Sequence, residues 1–104
     1  IELSELFISQ VEAKCHGLTL VSPRDPNQRG SHVAFQFKNG YECMQALIAH
    51  GVIGDFRAPD IMRFGITPLF INLDDIEKAV TILSDILTNK IWKKPEFQKR
   101  ALVT

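Results

Sequence analysis

Apolar residues recur along this chain at two periods, and the switches between them lay out its elements. In residues 2–14, Leu3, Leu6, Phe7 and Val11 fall at helical spacing. Glutamates come early and Lys14 late, the polarity a helix dipole favours. Gly17 supplies a stop. Residues 18–21 form a short strand-like run, and 22–30, rich in Pro, Asn, Asp and Gly, is turn chemistry that predicts a loop. Residues 31–38 alternate with period two. Val33, Phe35 and Phe37 share one face, and His32, Ala34 and Gln36 share the other, which predicts a half-buried strand. After Asn39-Gly40, the positions Tyr41, Met44, Leu47 and Ile48 predict a helix over 41–50, closed by Gly51.

Two further strands are predicted over 52–57 and 61–66, joined by Ala58-Pro59-Asp60. So tight a connection makes an antiparallel hairpin. With those three residues as the loop, Arg57 faces Ile61, Phe56 faces Met62 and Asp55 faces Arg63. Pro68 ends this region. Asn72 and Asp75 have the spacing of a capping box and open a helix over 73–88. Its buried stripe is Ile76, Ala79, Val80, Leu83 and Leu87, and Asn89 and Lys90 close it. Pro95 suits a first helical turn, so 95–103 is a last short helix.

The resulting order is α, short β, then β-α-β-β-α and a tail helix. It predicts an α+β two-layer sandwich, an antiparallel sheet with helices on one face. Val33, Phe35, Phe37, Met44, Leu47, Val80, Leu83 and Leu87 are the expected core. The 104 residues amount to a single domain, 1–104, without repeats or low-complexity segments.

Charge narrows the function classes. Twelve basic and twelve acidic residues cancel, which argues against a nucleic-acid role. The charge is uneven along the chain: Glu2, Glu5 and Glu12 stand at the start, and Lys90, Lys93, Lys94, Lys99 and Arg100 at the end. Both ends read as solvated helix faces. No apolar run approaches the ~20 residues of a membrane span, and the start carries no signal-peptide pattern. Cys15 and Cys43 are too far apart for a metal motif and read as buried free thiols. His16, His32 and His50 lack ligand spacing, so no metal is expected.

Motifs for nucleophilic catalysis, phosphate loops and zinc hydrolysis are absent from the sequence. Asp74 and Asp75 are helix-start residues rather than an acid–base pair. The odd residue is Arg63, set in the apolar run Ile61-Met62-Arg63-Phe64-Gly65-Ile66. Arginine is seldom buried without a partner. On a rigid strand its guanidinium can grip a carboxylate with two parallel hydrogen bonds, and a glycine two residues on leaves space beside it. From the residues alone, a cross-strand ion pair with Asp55, which the register places opposite, is the favoured account.

The wording of the sequence goes further. Arg29-Gly30-Ser31-His32-Val33, and the long stretch GVIGDFRAPDIMRFGITPLF over 51–70, resemble the C-terminal part of the kynureninase family. These are pyridoxal-phosphate enzymes of the aspartate-aminotransferase superfamily. The resemblance covers essentially the whole chain and implies the C-terminal small domain of a fold-type I enzyme, with 1–17 as an interdomain helix. It implies a parent enzyme that hydrolyses L-kynurenine, 3-hydroxykynurenine or both to anthranilate or 3-hydroxyanthranilate and L-alanine. Such parents are cytosolic homodimers in tryptophan catabolism, which feeds NAD biosynthesis.

By the same resemblance the cofactor, pyridoxal 5'-phosphate, sits mainly on the large domain, and none of the seven lysines here matches the family's cofactor-lysine motif. This chain then carries no catalytic and no cofactor-binding residue and is inactive alone. Its small domain closes over the active site and supplies an arginine for the substrate α-carboxylate. By motif position that arginine is Arg63, with Asp55 orienting it. Small domains of cysteine desulfurases or class V aminotransferases share the fold and the arginine but not the GDFRAPDIMRFG wording. A free-standing binding module is the alternative from a different class.

Overall fold

A computed structural model describes residues 3–25, 32–66 and 71–98. The chain runs through α1 (Leu3–Lys14), β1 (Thr19–Leu20), β2 (His32–Gln36), α2 (Gly40–Ala49), β3 (Asp55–Arg57), β4 (Ile61–Gly65) and α3 (Leu73–Thr88). A 3-10 turn (Ile91–Lys93) and α4 (Pro95–Gln98) follow. Every strand pair is antiparallel, and the sheet order is β1-β2-β4-β3. The predicted α+β architecture is therefore observed. Parts of the expected 22–30 loop and of the tail helix 95–103 lie outside the described residues, as does Pro68.

Local chemistry sets most boundaries. In α3, Asn72 accepts a hydrogen bond from the Asp75 backbone N–H, and the Asp75 carboxylate accepts one from the Asn72 N–H, each 3.0 Å long. This reciprocal box satisfies two donors that a helix start leaves orphaned. Helices α1 and α2 stop where predicted, at Gly17 and Gly51, whose φ values of 87° and 92° suit glycine. The hairpin forms with the expected loop and pairs Asp55 with Arg63, Phe56 with Met62 and Arg57 with Ile61.

One core binds the layers. Phe7, Ile8 and Val11 of α1 meet Val33 and Phe35 of β2, Met44 and Leu47 of α2, Met62 and Phe64 of β4, and Ile76, Val80, Leu83 and Ile86 of α3. The Phe7 ring lies 6.2 Å from Phe35 and 5.2 Å from Phe64, within aromatic contact range. Ser84 Oγ donates to the Lys14 carbonyl, tying the end of α1 to α3. Cys15 and Cys43 are buried free thiols. Burial pushes them up to about 11 and about 12, respectively.

Three expectations need correction. Strand 52–57 shortens to β3; just before it Gly54 lies close against β4, where a Cβ would stand 2.7 Å from the Arg63 carbonyl oxygen. Ile53, one residue further back, is left 90% exposed. In α3, Ile86 is buried and Leu87 only half-buried. That helix packs against both α1 and α2, so its buried face is wider than a single stripe. Phe37, expected in the core, is half-buried: β2 ends at Gln36, and the Phe37 ring instead meets Trp92 edge-on at 5.7 Å.

Candidate carboxylate site on the open sheet face

Side chains alternate across a strand, so the helix-covered face of β4 takes Met62 and Phe64 and leaves Ile61, Arg63 and Gly65 on the other. That second face, not covered by a helix among the described residues, holds the arginine singled out in the sequence. β4 lies between β2 and β3, so Arg63 has two cross-strand neighbours. Ala34 stands opposite it on one side and Asp55 on the other.

The predicted ion pair forms. Arg63 Nε donates to Asp55 Oδ1 at 2.9 Å and Arg63 Nη2 donates to Asp55 Oδ2 at 2.8 Å. The fork is parallel and charge-assisted, the strong geometry for this pair. The Arg63 side chain is 30% exposed and that of Asp55 54%, so water reaches both groups. The hydrogen bond to Arg63 holds the Asp55 carboxyl below the usual aspartate range; the charges of Arg57 and His32 act in the same direction. Asp55 in turn raises the guanidinium further above its already high value.

This pairing does not use up the arginine. A guanidinium has five N–H donors, and Asp55 engages two of them along the Nε side. Among the described residues the Arg63 side chain has no other hydrogen-bond partner, so the Nη1/Nη2 edge still presents a second fork. Asp55 locks the side chain's orientation, and the outer edge is shaped for one more carboxylate. The ion-pair reading and the carboxylate reading are therefore compatible in this geometry.

The surroundings of Arg63 were only partly legible in the sequence. Asp55 followed from hairpin register, and Gly65 from the two-residue period. Ala34 and His32 were missed as neighbours, since the β2–β4 pairing that sets Ala34 against Arg63 and His32 against Gly65 joins strands far apart in sequence. At the far end of this face Gln36 Nε2 donates to Asp60 Oδ2 at 3.0 Å, pinning β2 to the hairpin turn.

An apolar cleft of about 330 Å³ reaches the same strand, lined by Phe7, Val52, Ile53, Phe64, Gly65 and Ile76 among others. Arg63 is not in its wall. Among the described residues there is no cluster of three metal-ligating side chains and no helix long and apolar enough to cross a membrane.

The chain has known relatives. Residues 1–83 match the family model described as the kynureninase C-terminal domain. The whole chain aligns at 51% identity over 106 residues with proteins named kynureninase from Burkholderia mallei, Burkholderia pseudomallei and Pseudomonas fluorescens. In each case all of this chain is covered and 26% of the relative, so the chain spans about a quarter of the length of the curated relatives it matches. With the open-face arginine in the motif that first suggested it and the family match over most of its length, the chain belongs to the kynureninase C-terminal domain family.

Proposed function

We propose that this chain is the C-terminal small domain of a kynureninase and that it supplies Arg63 to bind the α-carboxylate of the amino-acid substrate. The parent protein then hydrolyses L-kynurenine, its 3-hydroxy form or both, releasing L-alanine and the matching anthranilate. The observation that carries the reading is the guanidinium of Arg63, fixed along one side by Asp55 and left with a free two-donor edge on an open sheet face.

The described residues do not fit the family's cofactor, pyridoxal phosphate. A lysine that holds it needs a desolvated pocket, and all six described lysines are exposed. The cofactor therefore belongs to the rest of the parent, and this chain's part is to bind and orient substrate. It is inactive alone. Residues 1–17 link it to the large domain, and the working protein is a cytoplasmic homodimer, by the same family reading.

The test is Arg63→Ala in the full-length parent. Leaving a carboxylate unpaired in a closed site costs about 2–4 kcal/mol. The corresponding fall in kcat/KM is about 30- to 1,000-fold, with the unfolding midpoint little changed. Arg63→Lys should recover only part, because an ammonium keeps the charge and loses the fork. A destabilised Arg63→Ala variant with normal kcat/KM would show that Arg63 serves the Asp55 pair alone.

A further inference from the structure

Glycine inside a strand costs stability, since it loses more backbone freedom on folding and packs nothing. Where it persists, the fold usually requires it. Gly17 and Gly51 adopt positive φ. A Cβ on Gly40 would stand 3.1 Å from the Asp60 carbonyl oxygen, and one on Gly54 only 2.7 Å from that of Arg63. Gly65 has neither reason. Its φ is not positive, it lies within β4, and a Cβ built on it meets nothing within 4 Å among the described residues.

The position of this unexplained glycine is specific. Two residues from Arg63 on the same strand, it shares the open face with that residue. On β2 the residue opposite Arg63 is Ala34, and the residue opposite Gly65 is the exposed His32. Low side chains therefore flank Arg63 on the two sides that Asp55 and Ile61 do not occupy.

We propose that Gly65 is a specificity-determining position of the Arg63 site, kept free of a side chain so that an α-amino-acid carboxylate can lie close against the sheet. A substrate entering over Gly65 brings its carboxylate to the Nη1/Nη2 edge while its α-carbon occupies the volume a side chain would fill. The inference rests on Arg63 being the carboxylate fork. It adds that access to the fork, and not the fold, dictates the glycine.

The experiment uses the full-length parent with Gly65→Ala and Gly65→Val, alone and combined with Arg63→Ala. Expected are unfolding midpoints unchanged or raised, because alanine and valine suit a strand better than glycine does. KM for kynurenine should rise modestly with alanine and about 10-fold or more with valine. Inhibition by L-alanine, whose carboxylate would use the same fork, should weaken in parallel. In the Arg63→Ala background, Gly65→Val should add little, since the fork it obstructs is already gone.

Unchanged KM and L-alanine inhibition in Gly65→Val, with Arg63→Ala still defective, would overturn the role of Gly65 alone. Unchanged KM in Arg63→Ala would instead overturn the reading beneath it. Loss of folding in either glycine variant also counts against the proposal, because it holds that the fold does not need this glycine. So does a full multiplication of the two effects in the double variant.

Discussion

Five consecutive residues of β4 carry two different surfaces. Met62 and Phe64 face the helices and are buried in the common core, while Ile61, Arg63 and Gly65 face away and stay partly exposed. On the first face, packing accounts for each residue: the Phe64 ring meets Phe7, and Met62 is wholly enclosed. The second face offers no such account. An arginine there is held in a fixed pose by an aspartate that is itself half exposed, and a glycine leaves a gap that no described neighbour fills. Surface ion pairs add little stability, and a strand glycine subtracts some. A face whose residues are poor choices for stability is where binding is to be sought.

The comparison breaks most visibly on the buried side. Phe64→Ala should destabilise the domain by about 3–5 kcal/mol, the range for large-to-small changes in a core. Urea unfolding of the chain measures it. A loss near that of a surface change would mean the helix layer does not seal β4 as described. Next in size is Gly54→Ala. Its new methyl group would press on the Arg63 carbonyl oxygen and on Met44, and backbone cannot yield cheaply. An overpacking cost of about 1–3 kcal/mol is expected by the same measurement.

The smallest effect belongs to the open face. Asp55→Asn keeps the shape and removes the charge that orients Arg63. The pair is too exposed to stabilise by more than about 1 kcal/mol. The Asp55 carboxyl is held below its ordinary value near 4 by the Arg63 hydrogen bond, so its contribution is full above that pH and fades as pH falls through the lower folded value. The stability gap between the original chain and Asp55→Asn should therefore be present at pH 7 and shrink below pH ~4. A gap that widened in acid would mean the carboxylate is not held by Arg63. In the parent enzyme the same variant should weaken substrate binding less than Arg63→Ala does, since it loosens the fork without removing it.

Much of this molecule was decided locally, and those parts were legible in the residues. The Asn72–Asp75 box, the glycine stops at 17 and 51 and the alternation over 32–36 depend on neighbours within about four positions. The hairpin register followed for the same reason: a three-residue loop leaves the chain little choice, and it set Asp55 against Arg63. What only the tertiary structure decided is the company kept by distant segments. Closing a long loop costs little more entropy than closing a short one, so sequence separation does not say which strand β4 will pair with on its other side. The fold chose β2, placing Ala34 and His32 beside Arg63 and Gly65. The close approach of Gly54 to the Arg63 carbonyl, and the short strand with an exposed Ile53 before it, were likewise set by the tertiary structure. Residue patterns could name the arginine and its aspartate; the open space around them arose from a pairing between parts of the chain that carry no local mark of each other.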